Sequence, residues 1–120
     1  ENSTFTFQDF NELASKQNYK SLEELYNSIL KKNPTFELPE GNLNNLGLQL
    51  VFNPVTSQQG INILLMATSI YSNSANLFDS LAEAYLYIGN NEKASTNFEK
   101  SLQLNPENQN AIDRLKQLRE

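Results

Sequence analysis

Two fragments of this chain carry the residue types of a serine nucleophile and its proton relay. Ser28-Ile29-Leu30-Lys31 fits the spacing Ser-x-x-Lys, and Tyr71-Ser72-Asn73 fits Tyr-x-Asn. That chemistry needs the serine hydroxyl held beside a lysine amine, with the tyrosine close enough to relay a proton. Ser28 falls inside a helical pattern, no Lys-Thr-Gly strand follows, and 120 residues are too few for the mixed α/β domain such chemistry uses. No Gly-x-Ser-x-Gly elbow occurs, and the chain has neither histidine nor cysteine. The Ser-His-Asp triad, thiolate chemistry, disulfides and the commonest transition-metal ligand are thereby removed. The expectation is a protein that is not an enzyme and holds no cofactor and no metal.

The carboxylates point the same way. Asp79 and Glu83 are four apart on one helix face, a spacing that could seat a hard cation, but nothing nearby supplies the six or more oxygens calcium takes. A solvated acidic face is the simpler reading. Glu23 and Glu24 fit a helix start, and Glu37 and Glu40 flank Pro39 on a loop with no scaffold to hold them as an acid/base pair. Asn2-Ser3-Thr4 matches a glycosylation acceptor, a motif short enough to arise by chance.

The elements that would position these residues are helices. Phe78, Leu81, Ala82 and Tyr85 form one apolar stripe, Gly89-Asn90-Asn91 ends it, and Ala94, Phe98, Ser101 and Leu102 form a second, stopped by Asn105-Pro106. Small residues (Ala82, Ala94, Ser101) stand where the two helices cross. Gly60, Leu64 and Ala67 recur as Ala94, Phe98 and Ser101, each 34 residues on. Their first helix runs through Leu43, Leu46-Gly47 and Leu50, and Asn53-Pro54 opens a turn through Ser57 one residue longer than usual. Nearer the start, Phe7, Phe10, Leu13 and Ala14 mark a helix ended by Gln17-Asn18. Ser21 with Glu24 reads as a capping box for the next, whose buried stripe is Leu22, Leu25, Tyr26, Ile29 and Leu30. Lys31 and Lys32 suit its last turn, and Asn33-Pro34 stops it. Thr35 to Gly41, with Pro39 and Gly41, is the expected hinge. The last helix carries Ile112, Leu115 and Leu118 on one face.

This pattern resembles the tetratricopeptide repeat, a helix-turn-helix unit of about 34 residues. The resemblance rests on Phe78, Leu81-Ala82, Tyr85, Gly89, Ala94, Phe98, Ser101 and Pro106, with Ala82 and Ser101 replacing other small residues. It implies an all-α single domain, a right-handed superhelix of antiparallel helix pairs, about seven helices in all. Its parts would be a degenerate unit over 3–36, units over 40–74 and 75–108, and a capping helix over 108–120. In that family the first helices line a concave groove that binds extended peptides. Carried across, the surface comprises Asn44, Leu48, Asn76, Asp79, Glu83, Tyr87, Asn110 and Asp113. A carboxylate clamp is disfavoured, because Phe7 and Asn110 stand where lysines are needed. Three acidic residues on this surface call for a basic or polar partner segment. Leu48, Val51 and Phe52 are apolar where the groove is open, so the N-terminal helices or a partner should cover them.

A narrower likeness is carried by Asn44-Asn45-Leu46-Gly47, Ser74-Ala75-Asn76, Asp79 to Tyr85, Ser101-Leu102 and Asn105 to Ile112. These stretches are similar to the C-terminal module of bacterial secreted serine hydrolases, esterases and β-lactamase-like enzymes. That likeness implies an accessory module that docks or positions a catalytic domain, in a periplasmic or secreted setting. The alternative is a free-standing adaptor binding a peptide of another protein. The chain opens at Glu1 without Met, which suggests an excised or processed piece, while a lone amphipathic helix running to Glu120 reads as a stack's natural end.

Composition bounds the rest. A hydrophobic share of 38% suits a thin stack of helix pairs. Fourteen acidic against nine basic residues leave a net charge of -5, which disfavours nucleic acid. No apolar run approaches the roughly 20 residues that span a bilayer. The expected partner is a protein or peptide.

Overall fold

A computed structural model describes residues 4–120, so Asn2 and Ser3 of the Asn2-Ser3-Thr4 motif lie outside the described residues. Seven helices follow one another, with no strand among the described residues: α1 (Phe7–Lys16), α2 (Leu22–Lys32), α3 (Glu40–Val51), α4 (Ser57–Ile70), α5 (Ala75–Tyr87), α6 (Asn91–Leu104) and α7 (Gln109–Leu118). The chain is all-α. None of these helices is long and apolar enough to cross a membrane.

The ends of the helices follow local side-chain chemistry. Ser74, Asn90 and Asn108 cap α5, α6 and α7 by accepting from the backbone N–H groups of Leu77, Lys93 and Ala111. Gly89 closes α5 with φ at 86°, a left-handed turn that lets the Asn90 N–H reach back to the Tyr85 carbonyl at 2.9 Å. The α3–α4 turn has no such glycine. It runs from Phe52 to Thr56, with Ser57 already inside α4. There the hydroxyls of Thr56 and Ser57 donate to the Leu50 and Val51 carbonyls at 2.7 and 2.6 Å, satisfying the end of α3 from across the turn.

Packing is densest within two hairpins, α3 on α4 and α5 on α6. The α3–α4 crossing is glycine on glycine. A Cβ on Gly60 would stand 2.5 Å from the Val51 nitrogen and collide with the Gly47 carbonyl, so only hydrogen fits between these backbones. In α5–α6 the corresponding residues are Ala82 and Ala94, both fully buried. Successive hairpins join through α3 against α5 and α4 against α5, and α7 closes the stack against α6 through Ala111 and Leu115. Ile112 and Leu118 only flank that contact. The stack measures 58 × 30 × 18 Å and its radius of gyration is 15.3 Å. A chain this long packed as a sphere would have about 13.6 Å, so the molecule is elongated along its stacking direction.

The N-terminal helices depart from expectation in three ways. The capping box belongs to α1, where Thr6 and Asp9 exchange bonds of 3.0 and 2.9 Å, and Ser21 caps nothing. Ser21 has left-handed dihedrals (φ 52°, ψ 43°) instead of the extended backbone an N-cap side chain needs, so its hydroxyl misses the first turn of α2. Asn18 and Tyr19 are left-handed as well, each with φ at 56°. L-residues adopt that conformation at a cost of roughly 1–2 kcal/mol each, less for Asn. The second departure is the hinge. Thr35 to Gly41 is not free: Phe36 and Leu38 are buried, and Gly41 already lies within α3. Tyr71 donates to the Leu38 carbonyl at 2.7 Å, and Phe36 meets Phe5 and Tyr26 edge-on. Third, the N-terminal apolar stripes are shallower than read. Leu13 is exposed, and of the α2 stripe only Leu22 and Ile29 are buried.

Candidate interaction surface

The first helices of the stack, α3, α5 and α7, carry all eight residues expected on the binding surface. Side-chain contacts bring four of them into two groups. At the α5–α7 end, Asp79 and Glu83 face Asn110. At the other end Tyr87 meets Phe52, which sits one repeat earlier at the close of α3. Asn76 is exposed beside the first group, and Asp113 is exposed with its carboxylate accepting from Gln109 at 2.9 Å. Asn44 and Leu48 are half-buried on α3.

The acidic pair is neither a cation cradle nor a merely solvated face. Asp79 accepts from the amides of Asn108 at 2.8 Å and Asn110 at 3.0 and 3.1 Å. Glu83 accepts from Asn110 at 2.9 Å and takes Arg114 in a two-pronged grip, Nε at 2.8 Å and Nη2 at 3.1 Å. The hydrogen bond to Glu83 raises the Arg114 pKa further, with Asp79 adding a smaller attraction. Asn108 is the hub. Its oxygen caps α7, and its amide nitrogen bonds both Asp79 and, at 2.8 Å, the Ser101 hydroxyl. Ser101, fully buried, donates onward to the Ala75 carbonyl at 2.7 Å. One chain of bonds therefore fastens α5, α6 and α7. A basic ligand would find these carboxylates already answered from within, although one guanidinium stands against the three carboxylates Asp79, Glu83 and Asp113.

Asn76, Asp79, Asn105, Asn108 and Asn110 line an open pocket of about 290 Å³ at the N-terminal ends of α5 and α7. Amides both donate and accept, so this pocket matches the alternating groups of a peptide backbone better than a single charge. At the opposite end of α5 the surface turns apolar. The rings of Phe52 and Tyr87 are 5.3 Å apart and nearly perpendicular, yet Phe52 is 52% and Tyr87 45% exposed, with Val55 and Ile88 exposed beside them in sequence. Val51 is covered by its own hairpin, but Phe52 is left exposed by the N-terminal helices, so of the two expected covers a partner is the one that remains for it.

The nucleophile fragments are not assembled. Ser28 and Lys31 stand exposed on α2 and share no hydrogen bond with Tyr71, whose hydroxyl is committed to Leu38. Burial raises the Tyr71 pKa, and the negative charges of Glu37 and Glu40 act in the same direction. Among the described residues no group of three or more acidic side chains is placed to hold a metal ion.

Three residues escaped the sequence reading. Ser101 passed for a small packing residue, Asn108 for the plain start of the capping helix, and Phe52 for a residue to be covered by the N-terminal helices or a partner. The 34-residue offset carried a signal for Asn108, since it pairs that residue with Ser74, another helix cap. No protein-family model matches the chain, and no curated protein matches it.

Proposed function

We propose that this chain is a non-catalytic protein-interaction module whose first-helix face receives an extended segment of a partner. The carrying observation is the exposed Phe52–Tyr87 pair, formed by corresponding positions of successive hairpins. Aromatic rings left half in water, with exposed Val55 and Ile88 near them in sequence, are the composition of a binding anchor. Tyr87 and Asn76 are eleven residues apart on α5, about 16 Å along the helix axis. An extended segment of about five residues spans that length, with its apolar side chain on the rings and its backbone on the Asn76 and Asn110 amides. The resemblance of the sequence to the C-terminal modules of secreted serine hydrolases favours, as that partner, a catalytic domain of the same polypeptide.

The test is titration of the labelled chain with the separately purified domain encoded upstream of it, following backbone NMR shifts. Perturbation of Phe52, Tyr87, Ile88 and Asn76, with binding at least roughly tenfold weaker in Phe52→Ala/Tyr87→Ala, supports the reading. Shifts confined to α6 around Lys93, Asn97 and Lys100 overturn it. Absence of binding there, together with capture of a peptide from another protein on the same rings, turns it into the adaptor reading.

A further inference from the structure

We infer that the α1–α2 hairpin is a detachable arm, which undocks from α4 while α3 to α7 stay folded. Among the described residues one hydrogen bond joins arm and stack, from the Asn62 amide to the Tyr19 carbonyl at 3.0 Å, and no ion pair does. The other bonds of that turn stay inside the arm: Tyr19 donates to Asn11 at 2.6 Å, and Gln17 donates to the carbonyls of Lys20 and Ser21.

The seam beneath is flanked by two grooves open to solvent. On one side of Glu23 and Met66 lies a pocket of about 370 Å³, bounded by Tyr19, Leu22, Asn62 and Leu65. On the other lies one of about 280 Å³, bounded by Tyr26, Asn27, Ser69 and Ile70. Between the grooves the arm holds on through apolar contact alone, its buried Leu22 and Ile29 belonging to the same cluster as Met66. The strained turn adds to this. Asn62 helps hold Tyr19 left-handed, and once that bond breaks the turn can relax toward an ordinary conformation.

The cover is particular to α4. Met66 and Ile70 correspond to Lys100 and Leu104 of α6, and Lys100 is exposed, its ammonium 5.8 Å from the Phe78 ring centre. Helix α6 thus shields its neighbour with its own lysine, whereas α4 presents an apolar strip that α2 covers. Undocking bares that strip without disturbing the α5–α7 bonds.

Hydrogen exchange on the full chain tests the arm. In the wild type the amides of Ala14 and Ile29 should exchange at least roughly tenfold faster than those of Ala84 and Phe98. Asn62→Ala should quicken Ala14 and Ile29 about fivefold further, the weight of one net hydrogen bond, and leave Ala84 and Phe98 unchanged. Tyr71→Phe, which frees Leu38 at the base of the arm, should act in the same direction. Equal protection in all four amides overturns the proposal. So does a variant in which all four quicken together, because arm and stack would then open as one unit.

Discussion

The joint between α3 and α5 and the joint between α5 and α7 occupy corresponding places one repeat apart, and they are held by opposite means. In the first the helix backbones themselves come close. In the second, long polar side chains reach across from Asn108, Asn110 and Arg114 to Asp79 and Glu83. The helix-cap position decides which. Asn108 caps α7 and still has an amide left to reach Asp79, whereas Ser74 caps α5 with a shorter side chain and turns to Glu40 at 2.5 Å. The residue that corresponds to Asp79 is Asn44, and its buried Oδ1 has no partner. A repeat period fixes where side chains meet; the chemistry at each meeting is set residue by residue.

The hairpins differ in the same spirit, glycine on glycine against alanine on alanine, and the largest expected effect lies there. Gly60→Ala should cost about 3 kcal/mol, because its methyl meets backbone on the facing helix and the helices must part. Gly47→Ala should cost less, about 2 kcal/mol, since its methyl meets the Leu64 side chain, with Cγ at 2.7 Å, and that buried side chain can shift where backbone cannot. Urea denaturation of the two variants checks this, and equal midpoints would erase the distinction between backbone and side-chain contact. Next in size is Arg114→Ala, which leaves Glu83 with one neutral donor. It should cost about 1.5 kcal/mol, within the range for hydrogen bonds to charged groups, and the loss should shrink in 1 M salt. Exchange protection should fall in α7 and stay unchanged across α3–α4.

Much of this architecture was legible because it rests on local pattern. The stripes of Phe78 to Tyr85 and Ala94 to Leu102, the Gly89 turn and the Pro106 stop need only neighbours in sequence, and all appear as read. The Gly47–Gly60 crossing followed from the period. What stayed hidden depends on distant partners. Whether Asp79 is solvated turns on where Asn108 and Asn110 fall, some thirty residues away. Ser21 failed for the opposite reason. Its pattern with Glu24 was correct, but the buried Tyr19 imposes a turn whose backbone a capping serine cannot use.

The unpaired Asn44 oxygen sharpens the comparison of joints by about 1 kcal/mol. A buried acceptor without a donor carries its full desolvation penalty, so Asn44→Leu should raise the unfolding free energy by about that amount. The parallel change at the other joint, Asn108→Leu, should lower it by about 2 kcal/mol, since it takes one donor each from Asp79 and the buried Ser101 and removes a cap. Opposite signs in denaturant midpoints are the expected result. A loss at Asn44 would mean that its oxygen is satisfied by an internal water, and the two joints would then be alike in polarity.

The smallest effect separates two serines that both stand immediately before a helix. Ser74 has an extended backbone (φ -90°, ψ 103°), and its hydroxyl accepts from the Leu77 N–H at 3.1 Å, so Ser74→Ala should cost about 1 kcal/mol. Ser21 has φ at 52° and no side-chain bond to α2, so Ser21→Ala should change stability by a few tenths of a kcal/mol at most. Ser21→Gly should instead stabilise. Removing Cβ relieves about 1 kcal/mol of left-handed crowding, and the greater freedom of glycine in the unfolded chain returns about half of it. The net gain of about 0.5 kcal/mol is a melting-point rise of about 2 °C for a chain of this size, within reach of calorimetry. A loss at Ser21→Ala as large as that at Ser74→Ala would restore the capping role to Ser21 and remove the strain from the α1–α2 turn.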